Sequence, residues 1–319
     1  MPGLVPGIHV FLPSSGGAKD VDGRDKPGHD EERSKKDELV PALSAIDHVI
    51  IAVADLDRAR LAWERLGFTL TPRGRHLQQG TGNYCVMFPR DYIELLGVVD
   101  AAEGKGSLGD FLDGSEGTRG VAFAARSAAE TAAALTQAGI AAGQPRDLAR
   151  QLELPEGTVL PRFKLVSLPA DATPGLNAFV CEQRTPELVR RPAWLAHANG
   201  AVGLRGITVL VEATEPLRLA YERVFGAGVN TTDDVLTVHA GPHRLTFVTP
   251  DDFTALYPEA DVDVDRDLPA IAAVTLASRD LALTADHLTQ WQVPHEALAD
   301  GTVLVRPADA NGTLLIFKR

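Results

Sequence analysis

Two kinds of periodicity run along the chain, and together they mark out four copies of one small unit. Residues 46–53 (IDHVIIAV) are rich in β-branched side chains and predict a strand. Asp55 follows as a helix cap, because its carboxylate can reach the free N–H groups of a first turn. Leu56, Ala59, Trp63 and Leu66 then recur at helical spacing, and Gly67 ends the run. Residues 68–71, 83–88 and 92–96 predict three more strands, the last two joined by a turn at Pro89-Arg90-Asp91. The order is β-α-β-β-β.

The order returns three times. A second copy comprises strands at 120–125, 162–168 and 177–181 with a helix at 128–138. A third has strands at 206–212, 235–239 and 244–249 with a helix at 216–225; a fourth has strands at 271–277, 302–306 and 312–318 with a helix at 281–291. A small sheet with one helix cannot hide its own apolar face, so the copies must pair. The expected fold class is therefore α+β: four βαβββ modules paired into two half-barrel domains, at 44–184 and 202–319. Residues 185–201 read as a linker packed down by Trp194. Residues 1–43 read as an extension outside the fold, because 14–38 (SSGGAKDVDGRDKPGHDEERSKKDE) is Gly-rich and charged. It is either a disordered tail or a segment ahead of a working start near Leu39, and in both cases His9 and His29 belong to no site.

Composition narrows the function. The 319 residues suit two domains. The 31 Lys+Arg against 43 Asp+Glu give a net charge of -12, which excludes nucleic acid as a main partner and argues against an anionic membrane surface. The only cysteines, Cys85 and Cys181, sit in apolar strands and read as inert core thiols, so a reducing, cytoplasmic setting is expected. No apolar run is long enough for a transmembrane helix. Dinucleotide fingerprints, phosphate loops, nucleophile elbows and calcium loops are all missing.

The polar residues inside the apolar strands are the candidate chemistry. Glu94 alternates to the side opposite Ile93 and Leu95, and a carboxylate on an inward face needs a partner, for which His48 is the natural choice. Arg162 and Lys164 share one face, inward to bind a carboxylate or outward as solvated edge residues. His197, His239 and His243 read as surface imidazoles, and His287 and His295 as structural.

Asp47-His48-Val49, the helix from Leu56-Asp57-x-Ala59 to Leu66-Gly67-Phe68, and Tyr92-Ile93-Glu94-Leu95-Leu96-Gly97 resemble the vicinal oxygen chelate superfamily of glyoxalase I, extradiol dioxygenases and antibiotic-resistance proteins. Gly74-Arg75-His76, Gly80-Thr81-Gly82-Asn83, Cys85-Val86-Met87 and Phe179-Val180-Cys181-Glu182-Gln183 are similar, more narrowly, to its glyoxalase-like-domain proteins. The resemblance covers nearly everything after residue 44. It implies metal ligands on the first and last strands of paired modules: His48, Glu94 and Glu182, or a neighbour of Glu182. The first-strand position of the second module is Gly120, which has no side chain. Imidazole and carboxylates suit one divalent Zn, Fe, Mn or Ni; a pocket using the same pair without metal is the other outcome. Glu94 and Glu182 are the candidate catalytic proton carriers, and Arg75, His76, Asn83 and Arg119 the candidate substrate-binding residues. The implied function is a metal-dependent lyase, isomerase or dioxygenase acting on a small oxygenated metabolite. The alternatives are a metal-free small-molecule binding or resistance-type protein, and a structural or interaction protein without catalysis. Glyoxalase I activity is disfavoured by the incomplete ligand set. The partner is a small molecule, with no nucleic acid and no membrane, and the resemblance implies a homodimer. The ligand is expected in the first half, because the matching positions of the second are Gly206 and apolar residues near Ala273.

Overall fold

The computed structural model describes residues 42–77, 79–103 and 106–319. The reading of 1–43 as an extension lies, up to residue 41, outside the described residues. The first half runs β1 (Ile46–Ala52), α1 (Leu56–Arg65), β2 (Gly74–His76), β3 (Thr81–Met87), β4 (Tyr92–Val98), α2 (Gly106–Leu112), β5 (Gly117–Ala125), α3 (Ala128–Gln137), β6 (Arg146–Leu154), β7 (Gly157–Val159), β8 (Arg162–Ser167) and β9 (Ala178–Gln183). The second runs β10 (Ala201–Leu210), α4 (Arg218–Phe225), β11 (Val229–Thr232), β12 (Val235–Ala240), β13 (His243–Val248), α5 (Pro250–Leu256), β14 (Ala270–Ser278), α6 (Leu281–Gln290), β15 (Glu296–Ala297), β16 (Val303–Val305) and β17 (Leu314–Lys318).

The first sheet has the order β2-β3-β4-β1-β5-β9-β8-β6-β7, and β2 also pairs with β6, so eight of its nine strands close into a barrel. The second, β11-β12-β13-β10-β14-β17-β16-β15, stays open. This corrects the expectation of two equivalent half-barrel domains: the protein has one closed barrel and one open sheet. The reason is strand length. The nine residues of β6 reach β2, with Gly74 opposite Leu152 and His76 opposite Arg150. The matching β15 has two residues and pairs only with β16 among the described strands. β6 escapes the sequence reading because its inward row, Leu148-Arg150-Leu152-Leu154, carries an arginine in an apolar slot.

Asp55 caps α1 by accepting from the Asp57 and Arg58 N–H groups, and Gly67, at φ +91°, ends the turn that follows. Ile46, Val49 and Ile51 of β1 share one apolar core with Trp63 of α1, with Ile207 and Val209 of β10, and with Phe317 of β17. One face of the open sheet carries a second apolar cluster. Leu210, Val248, Ala273 and Ile316 pack against Phe253 of α5 and Ala260.

Two histidines read as surface residues are buried links. The His243 ring accepts from the Ile46 N–H and donates to Asp91, whose other oxygen accepts from the Leu204 N–H. The His197 ring accepts from the Thr69 N–H and donates to the Met87 carbonyl. His239 is exposed. Phe163 faces the barrel interior, so its neighbours Arg162 and Lys164 face out, Lys164 to Asp147. No described helix is long and apolar enough to cross a membrane.

Candidate functional site

The interior of the closed barrel collects most of the polar groups that the first-half strands bury. Alternation sends Ile93 and Leu95 outward to the core and Glu94 inward. His48 comes from β1, His76 from β2, Asn83 and Cys85 from β3, Arg150 from β6, and Cys181 with Gln183 from β9; all but the partly buried Gln183 are buried. A register irregularity between Ile46 and His48 in the β1–β5 pairing lets Asp47 and His48, neighbours in sequence, meet by their side chains.

His48 is held on three sides. Its Nδ1 lies 2.7 Å from Asp47 Oδ2, its ring stacks on Tyr92 at 4.4 Å, and the Phe179 ring meets it edge-on at 5.7 Å. On the other edge of the ring, Nε2 lies 3.6 Å from Glu94 Oε2. Glu94 Oε1 accepts from Asn83 Nδ2 at 2.5 Å and lies 3.6 Å from His76 Nε2. Burial pushes the Glu94 carboxyl up, yet His76, His48, the Asn83 amide and Arg150 together hold it below the usual carboxylate range. Burial holds His76 below its ordinary value against the pull of Glu94. Asp47 also accepts from Gln183 Nε2 at 2.8 Å and faces Arg190 at 3.7 Å.

Asp47, His48 and Cys181 each bring one ligand atom within 4.8 Å of the others. Carboxylate, imidazole and sulfur form a donor set suited to a divalent transition metal, and three protein ligands are what an open catalytic site uses. Burial pushes the Cys181 thiol well up, so it ligates only by giving its proton up to a cation. Sequence reasoning missed Asp47, and it reached Cys181 only as a neighbour of Glu182. The signal was β9 parity: His48 packs against Phe179, so Cys181 and Gln183 share its side and Glu182 does not.

Of the residues picked from sequence, His48, Glu94, His76 and Asn83 come together. Glu182 lies on the opposite face of β9, where its carboxylate accepts from the Ala128 N–H at the start of α3 and pairs with Arg184. Arg75 points out of the barrel to Asp100 and Glu103. Arg119 is not at this cluster either. It donates to Ser107 and lines a separate groove of about 1060 Å³ with Asn177, Asp263 and Arg266.

A family model described as a glyoxalase-like domain matches residues 46–225. Among curated proteins none matches the chain in sequence. Solved structures share the fold at low identity. A hypothetical protein from Staphylococcus aureus superposes with a TM-score of 0.60 at 12% identity, covering 86% of this chain and 98% of that one. A triple mutant of 4-hydroxymandelate synthase from Streptomyces coelicolor gives 0.57 at 14%, covering 87% and 92%. Because the matched stretch exceeds half of its length, the chain belongs to the glyoxalase-like domain family of the vicinal oxygen chelate superfamily.

Proposed function

We propose that the protein is a metal-dependent enzyme of the lyase, isomerase or dioxygenase type, acting on a small oxygenated molecule inside the closed barrel. The observation that carries this reading is the buried Asp47, His48 and Cys181 cluster with Glu94 across the same imidazole. The three would hold one divalent ion, and such an ion polarises adjacent oxygens of a substrate. Glu94, ionised at neutral pH and braced by Asn83, is the proton acceptor. Phe179, only half-buried against His48, marks where solvent reaches the interior.

Calorimetric titration of the metal-free protein with Zn²⁺, Mn²⁺ or Ni²⁺ tests this. Wild type should bind one ion, His48→Ala and Cys181→Ala should lose it, and Glu94→Gln should keep it. Equal binding by wild type and His48→Ala overturns the reading. Loss in Glu94→Gln with retention in Cys181→Ala would move the centre to the other face of the imidazole. One observation favours a second reading, a metal-free small-molecule binding protein: Asp47 is already compensated by His48, Gln183 and Arg190. A small molecule retained by a protein that binds no ion would establish it.

A further inference from the structure

We infer that Arg150 anchors an organic carboxylate inside the closed barrel; the inference rests on reading that barrel as the small-molecule site, and adds the charge of its ligand. Arg150 is 2% exposed. Its guanidinium offers five N–H donors, yet among the described residues its one side-chain hydrogen bond is from Nη1 to Cys85 Sγ at 3.1 Å, a weak acceptor. Its Nε is buried with no partner among the described residues, and its guanidinium carbon lies over the Phe163 ring at 5.7 Å. No carboxylate among the described residues comes within ion-pair distance of it. The interior's other charges are all engaged: Asp47 by His48, Gln183 and Arg190, and Glu94 by Asn83 and two imidazoles. A buried guanidinium short of acceptors is costly, and it persists where something else supplies them.

A second orphan borders the same space. Asn83 Oδ1 is buried without a partner among the described residues, while the amide's nitrogen donates to Glu94. Gly74 of β2 lies between the two side chains: a Cβ there would collide with Asn83 Oδ1 and come within 3.2 Å of Arg150 Cδ. Glycine thus lets Asn83 Oδ1 and the Arg150 stem pack closely against β2, which brings an unpartnered donor, Arg150 Nε, and an unpartnered acceptor, Asn83 Oδ1, to one part of the interior. Guanidinium forks match the two oxygens of a planar carboxylate, and Asn83 Oδ1 can take a hydroxyl hydrogen of the same ligand. Phe163, Leu165 and Phe179 supply an apolar wall, so the ligand is a small organic acid with an apolar body.

The probe pair is benzoate and its uncharged isostere benzamide, titrated by calorimetry with and without a chelator. Wild type should prefer benzoate by about tenfold or more. Arg150→Met, which keeps the apolar stem, should lose that preference without a lower Tm, and Arg150→Lys should keep part of it. If Arg150→Met fails to fold, the benzoate-to-benzamide ratio in Arg150→Lys still decides, since an unchanged ratio shows that the fork does not read the carboxylate. Equal affinity for the two probes, unchanged benzoate binding in Arg150→Met, or no benzoate binding by wild type overturns the inference. Arg150-dependent benzoate binding that persists in chelator, in a protein that takes up no ion, would sink the metal reading and leave this one standing. Stoichiometric metal without benzoate binding would do the reverse.

Discussion

Acid should loosen this protein through His197. The imidazole accepts from the Thr69 N–H and donates to the Met87 carbonyl, each at 3.0 Å, and its edges pack on Phe68 and Phe88. The bond from Thr69 needs the neutral ring, because a second ring proton would face the Thr69 donor. Burial lowers the His197 pKa from 6.5 to about 4, despite the Met87 carbonyl, which favours the charged form. The unfolded chain therefore takes this proton near pH 6.5 and the folded chain only near pH 4. Between those values the unfolded state binds more protons, so the stability present above pH 6.5 is lost as pH falls through about 4. At about 1.4 kcal/mol per pKa unit, the loss approaches about 3 kcal/mol. Urea unfolding of wild type and His197→Gln at pH 7.5 and pH 4.0 reads it directly. The variant should start about 1 kcal/mol less stable, having lost a hydrogen bond. It should then lose about 3 kcal/mol less on acidification, because the carboxylates titrate alike in both chains and cancel. Parallel pH profiles for the two proteins would refute the reasoning.

Other outcomes follow from the same geometry. Glu182→Gln should cost about 1 kcal/mol by weakening the anion at the start of α3 and leave metal titration unchanged; lost metal binding would return Glu182 to the site. Burial pushes the Cys85 and Cys181 thiols up, so Ellman's reagent should label them only on unfolding, and fast labelling of the native protein would mean an open barrel. His243→Ala strands the Ile46 N–H and Asp91, and should lower stability by about 3 kcal/mol in thermal or urea melts. Gly74→Ala should cost about 1–3 kcal/mol by forcing Asn83 and Arg150 aside, and an unchanged melt would show the corner to be loose.

What the sequence revealed depended on whether a residue's surroundings lie nearby in the chain. The β1 and α1 pattern, the Asp55 cap and the Gly67 stop are local physics, and the structure has them. His48 and Glu94 stood out because each is a polar residue in a run of apolar ones. β2 did not, since Gly-Arg-His carries no strand signal; the expected strand at 68–71 is irregular chain with one bridge at Leu70. Parity turns Arg75 and Glu182 away from the cluster, because a strand reverses its side at every residue and a shift of one residue exchanges Glu182 for Cys181. Arg150 was legible in principle, as the one charged member of an alternating row. His197 and His243 were not, because their partners lie more than 100 residues away.

Closure is what separates the two halves chemically. The open sheet can cover a face with its own chain, and it does so with α5 and Ala260, leaving an apolar interface. A closed barrel has no such freedom: every polar group turned inward must find its partner among the few side chains that share the lumen. Four buried side-chain polar atoms lack one among the described residues, and three of them, Asn83 Oδ1, Arg150 Nε and Gln183 Oε1, line this interior. Random packing faults would fall in both halves, whereas these cluster around His48 and Glu94. Unfilled hydrogen bonds cost stability, and a site that binds a polar ligand recovers it on binding. Apolar replacement of Arg150 should therefore leave the free protein no less stable while removing the charge that selects its ligand, a separation of stability from binding that a purely structural arginine would not show.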